Sequence, residues 1–167
     1  MRIYEGSPRQ DWEEVLRSVG AYLDDQGMRE ILFVEDDGGF ILQGIKVEGA
    51  TSAWGDSVGT ARRATIQIGD EDVATFMDEA VARRGQPPRE TPQHYEVELR
   101  VIGRFIDERR PHDLFFFEQD GAYVLRLSIV GQASTKYQLF EFTREDIAGL
   151  VAKAPGLRRS TAAPAPE

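Results

Sequence analysis

Ser57, flanked by glycines in Gly55-Asp56-Ser57-Val58-Gly59, has the local setting of a serine nucleophile. Such a nucleophile needs an imidazole base and an orienting acid within hydrogen-bond reach. The two histidines are His94, at a helix start, and His112, in a helix–strand turn, and neither has a setting suited to a catalytic base. The loop therefore reads as a flexible run of small residues, and no catalytic residue is assigned. Glu35-Asp36-Asp37-Gly38 is acidic like a calcium loop, yet it lacks alternating oxygen ligands and a distal glutamate. Asp37-Gly38 and Asp120-Gly121 are better explained as turn formers. No glycine-rich phosphate loop is present, so no cofactor is expected.

The elements that must position these residues repeat. Shifting the sequence by 83 lays 12–47 over 95–130. Identical pairs include Leu16/Leu99, Arg17/Arg100, Gly20/Gly103, Asp24/Asp107, Phe33/Phe116, Glu35/Glu118, Gly38/Gly121 and Leu42/Leu125. Further on the offset becomes 74, matching Ile66-Gln67-Ile68 to Phe140-Glu141-Phe142, so the first copy carries nine additional residues. This pattern predicts an α+β fold made by tandem duplication of an α-β-β-β-α unit. Its antiparallel three-stranded meanders would combine around an internal pseudo-twofold axis, edge to edge or face to face. The units run 1–85 and 93–157, with a stiff polar linker at 86–92 and a disordered tail at 158–167.

Within the first unit, Ser7-Pro8 opens a helix whose apolar face is Trp12, Val15, Leu16, Val19, Tyr22 and Leu23, and Gly27 stops it. Strands follow at Ile31–Val34, Phe40–Val47 and about Thr65–Ile68. A second helix begins in the acidic turn Asp70-Glu71-Asp72 and buries Val73, Phe76, Met77 and Ala80. In the second unit, Thr91-Pro92 opens a helix with Tyr95, Leu99, Ile102 and Ile106 on its apolar face, ended by Pro111. Strands are expected at Asp113–Glu118, Ala122–Val130 and about Tyr137–Phe142, and Thr143 caps a last helix that stops near Pro155.

The repeat singles out a surface. Glu35 and Glu118 occupy equivalent strand ends, as solvated carboxylates or as a weak divalent-metal pair on the axis. Arg17 and Arg100 lie beside apolar residues of equivalent helices, covering the core rim while paired with acids, or forming an anion site. Tyr123, Leu125, Leu127 and Ile129 share one strand face, while Val124, Arg126 and Ser128 share the other. One face must be core. The second is covered by helices or a dimer mate, or is a binding surface. Trp54, in the additional loop from Glu48 to Ala64, tucks into the protein or anchors a partner. Arg17, Arg100, Glu35, Glu118, Trp54 and Arg126 are thus the candidate partner or ligand surface.

Composition narrows the function classes. The 167 residues carry 20 basic and 29 acidic side chains, a formal charge of −9. Residues 1–85 hold 9 basic and 17 acidic residues, net −8, and the rest 11 and 12, net −1. Such acidity disfavours nucleic acid and anionic membranes. Without cysteine there are no disulfides, thiolate metal sites or thiol nucleophiles. No apolar run approaches a membrane span, and the acidic N-terminal stretch does not read as a signal peptide, so a cytoplasmic location is expected. The order of elements resembles that of type III secretion chaperones and YbjN-like bacterial proteins. The resemblance covers most of the chain, matches no specific motif and transfers no functional residue; it implies protein partners. The expected function is that of a non-catalytic bacterial interaction or regulatory protein, using the pseudo-symmetric sheet face and the 48–64 loop, with a homodimer open. The alternative is small-ligand binding, or an enzyme activity, in a groove between the repeats.

Overall fold

The structure, a computed structural model, describes residues 12–36, 39–51, 57–69, 72, 75 and 95–154. Its elements run α1 (Trp12–Gln26), β1 (Met28–Asp36), β2 (Gly39–Thr51), β3 (Ser57–Gly69), α2 (Tyr95–Arg109), β4 (Asp113–Gln119), β5 (Ala122–Val130), β6 (Thr135–Phe142) and α3 (Arg144–Lys153). The strands make one antiparallel sheet in the order β3-β2-β1-β4-β5-β6. The two meanders therefore join edge to edge, along a β1–β4 seam where Phe33 lies opposite Phe116.

Local chemistry accounts for the element ends. Gly27 takes the left-handed conformation that closes α1 (φ 63°), its N–H donating to the Asp24 carbonyl at 3.2 Å. Asp120 and Gly121, both at positive φ, form the two-residue turn between β4 and β5 whose twist matches the strands. Thr143 and Asp146 make a reciprocal capping box on α3. The expected starts at Ser7-Pro8 and Thr91-Pro92, the Asp37-Gly38 turn, the buried face of the helix after Asp70, the linker and the tail lie outside the described residues.

Strand lengths depart from expectation most in the first unit. Most of the segment expected as an additional loop, Glu48 to Ala64, is strand: β2 and β3 stay in register from Gly39↔Gly69 out to Thr51↔Ser57. Neither strand contains proline, and a backbone ladder does not need large side chains, so the small residues pair. Because β1 begins pairing β2 at Met28↔Lys46, the last five pairs have no third strand beside them among the described residues.

α1 and α2 cover one face of the sheet. The apolar faces predicted for them are buried, Tyr22 alone being partly exposed. An aromatic stack fills the seam beneath. Phe33 and Phe116 lie parallel with centroids 4.8 Å apart, Phe40 sits 4.7 Å from Phe33, and Trp12 meets Phe33 edge-on at 5.7 Å.

Candidate functional site

The helix pair brings the two arginines together. Glycine at positions 20 and 103 lets each helix approach the first turn of the other, Gly20 against Tyr95 and Gly103 against Trp12. Asp24 accepts the N–H groups of Tyr95 and Glu96 at 2.9 and 3.0 Å, and Asp107 accepts those of Trp12 and Glu13 at 2.9 and 3.0 Å. Each aspartate satisfies two of the orphan donors at the other helix's start. Across this crossing Arg17 pairs with Glu96 at 3.5 Å, and Arg100 with Glu13 at 3.2 Å. Burial, reinforced by the nearby Arg100 charge, lowers the pKa of Arg17. Both guanidinium groups are committed to carboxylates, which argues for the paired-rim reading over an anion site.

The two repeated glutamates are set apart. Glu35 and Glu118 are each two residues from the Phe33–Phe116 pair, in opposite directions along an antiparallel seam. That separates their backbones by about 13 Å, too far to share one metal ion. Among the described residues no group of three or more His, Asp or Glu is arranged to hold a metal. Glu118 is buried rather than solvated, accepting the Tyr95 hydroxyl at 2.6 Å and the Gly121 N–H at 2.8 Å. Burial pushes Glu35 up to about 7, the Asp113 carboxylate adding to the shift.

A neighbour of Glu118 carries no mark in the sequence. Glu98, on α2, accepts the Tyr123 hydroxyl at 2.8 Å. Burial raises its pKa to about 7; the phenol opposes that shift, the Glu118 and Asp24 carboxylates support it, and Arg144 opposes it. Both phenols are held protonated by burial and the adjacent carboxylates, so they serve as donors. The folded protein thus holds a proton on Glu98 more tightly than an unfolded chain, whose glutamate titrates near 4.5. The stabilisation is complete below that value and is lost as pH rises through about 7. Glu98→Gln, which keeps a partner for Tyr123, is expected to gain about 1–2 kcal/mol relative to wild type between pH 5 and pH 8, after discounting for solvent access. Urea unfolding at the two pH values measures this; a difference independent of pH would remove it.

The opposite face of the sheet is built differently. Strand register places Gln67, Ile41, Val34, Phe115, Arg126 and Leu139 in one row across six strands. The next row is Thr65, Gln43, Leu32, Phe117, Val124 and Glu141. No described element packs over these rows. Phe117 (37% exposed), Val130 (58%), Tyr137 (68%) and Leu139 (63%) are the exposed large hydrophobics among the described residues, and alternation puts all four on this face. Arg126 lies 5.3 Å from the Phe115 ring and 5.6 Å from that of Tyr137, on the same side.

Comparison with protein-family models, curated proteins and solved structures finds no match for this chain. The site is therefore read from its own geometry. Of the six sequence-predicted surface residues, Arg17 and Arg100 meet at the helix crossing, Glu35 and Glu118 lie at opposite ends of the seam, and Arg126 alone stands on the open face. Trp54 lies outside the described residues. Ser57 opens β3, in the other half of the sheet from exposed His112 beside β4, while His94 lies outside the described residues. No helix among the described residues is long and apolar enough to cross a membrane.

Proposed function

We propose that this is a non-catalytic bacterial interaction or regulatory protein that binds a protein partner through the sheet face away from its helices. One observation carries the reading: the large apolar side chains left most exposed share that face. Clustered exposed apolar groups with a few polar ones at their edge are what a protein interface needs. Arg126, held over two rings, supplies a preorganised cation there. The 48–64 segment, which carries Trp54, is a second element of the same proposal. Small-ligand binding in a groove between the halves has less support, because Trp12, Phe33, Phe40 and Phe116 fill the seam.

We also propose that the fold arose by duplication and retains an internal pseudo-twofold. Pairings at the sequence offsets support this: Phe33↔Leu42 corresponds to Phe116↔Leu125, and Leu42↔Ile66 to Leu125↔Phe140. The reciprocal aspartate caps and Arg–Glu pairs across the helices point the same way.

Photo-crosslinking tests the surface. A photoreactive residue at position 139 is expected to capture protein, whereas one at position 108 on the exposed side of α2 is not. Arg126→Glu should lower the yield at 139 by about tenfold. Equal yields on both sides of the molecule would sink the proposal.

A further inference from the structure

The open face rests on the reading above as a protein-binding surface, and we infer that its occupant is a second copy of this chain, docked face to face about a twofold axis. The first argument is area. Six strands about 4.8 Å apart and three side-chain rows about 6.7 Å apart give a plan of roughly 500–600 Å². Side-chain relief raises the accessible area towards the roughly 800 Å² per partner of a standard interface. No large loop rearrangement is needed to assemble it, because the face is one continuous sheet.

The second argument is charge. A chain of net −9 repels its own copies wherever acidic surfaces meet. The open face departs from that balance. Register and alternation assign to it exposed Arg29, Arg63 and Arg126 against exposed Asp113 and Glu141, three basic and two acidic among the described side chains. Both signs sit around an apolar middle, so two copies can meet there without acid opposing acid. A strongly basic partner would instead be drawn to the acidic remainder of the molecule.

The third argument is shape. A twofold contact is self-complementary, each patch meeting its own copy. Two pleated sheets stacked about 10 Å apart interdigitate alternate side chains, and Phe117, Leu139 and Tyr137 project from this one as such side chains do. The dimer would be a sheet-on-sheet sandwich with helices on its two outer surfaces.

Sedimentation equilibrium of the full chain over about 1–100 μM tests the occupant. Wild type is expected to run as a dimer. Leu139→Glu and, separately, Tyr137→Lys should weaken association by about tenfold or more, while Glu108→Lys on the helical side leaves it unchanged. Far-UV circular dichroism of each variant keeps misfolding from counting as dissociation. A monomer throughout the range, or a dimer indifferent to both open-face variants, overturns the inference. A monomer that still crosslinks a different protein at position 139 overturns the second copy alone and leaves the binding face standing; a monomer with no capture removes both.

Discussion

Gly20→Ala and Gly103→Ala are each expected to cost about 3 kcal/mol or more, the upper part of the range for an overpacked interior. The sign makes this informative. In an exposed helix, glycine to alanine gains up to about 1 kcal/mol, because glycine has the larger unfolded-state entropy to lose. Here a Cβ at position 20 would strike the Tyr95 carbonyl and come within 2.7 Å of the Glu96 nitrogen. At position 103 it would strike the Trp12 carbonyl and come within 2.7 Å of the Glu13 Cα. The atoms in the way are backbone, and the same backbone is held by the carboxylates of Asp24 and Asp107, so neither helix can slide aside without losing two hydrogen bonds. Gly149, on α3, has open space for 4 Å around the point where a methyl would stand, and it serves as the control, with a stability gain from Gly149→Ala. Thermal unfolding should register each crossing variant as a fall of roughly 6–12 °C, at about 2–4 °C per kcal/mol. A neutral or stabilising result at 20 or 103 would mean that the helices do not cross this closely.

These glycines also mark how far the sequence reaches. The apolar period locates α1 and α2 and their buried residues, because a packed helix face must repeat near 3.6 residues. Repeated strand patterns locate the six-stranded sheet's components for the same reason, with side chains alternating across it. The identity of Gly20 with Gly103 and of Asp24 with Asp107 is visible at the sequence offset of 83, but their roles are not. A carboxylate that caps a helix start 71 residues away leaves no local mark. The spacing Gly-x-x-x-Asp, shared by both helices, is the available signal. The Glu13/Glu96 identity likewise foretells the partners of Arg100 and Arg17. Glu118 looks solvated in the sequence because nothing near it in the chain supplies the Tyr95 hydroxyl. The β2–β3 ribbon looks like a loop because propensity scores side chains, whereas an antiparallel ladder of glycine, alanine, serine and threonine is held by its backbone. Edge-to-edge joining of the meanders is not legible at all, since either arrangement buries the same apolar faces.

Arg17→Met is expected to destabilise by about 3–5 kcal/mol, the cost of removing one member of a buried ion pair. The side chains of Arg17 and Glu96 are both 7% exposed, so the carboxylate left behind has little water to turn to. Arg100→Met should cost only about 1 kcal/mol, closer to an accessible pair. Its partner Glu13 is more open, the two side chains being 16% and 22% exposed, and it keeps a second cation in Arg104 at 2.6 Å. If duplication produced both pairs, burial is where they diverged. The cycle through Arg17→Met, Glu96→Leu and the double substitution separates the pair from its surroundings. Most of the loss should return in the double variant, because removing both charges also removes the need to solvate either. The lowered pKa of Arg17 agrees in direction, since burial and the Arg100 charge both work against its charged form before any partner is lost. A loss at Arg100 as large as that at Arg17 would show that Arg104 does not take over Glu13. A loss at Arg17 below about 1 kcal/mol would show that water reaches Glu96 once the guanidinium is gone.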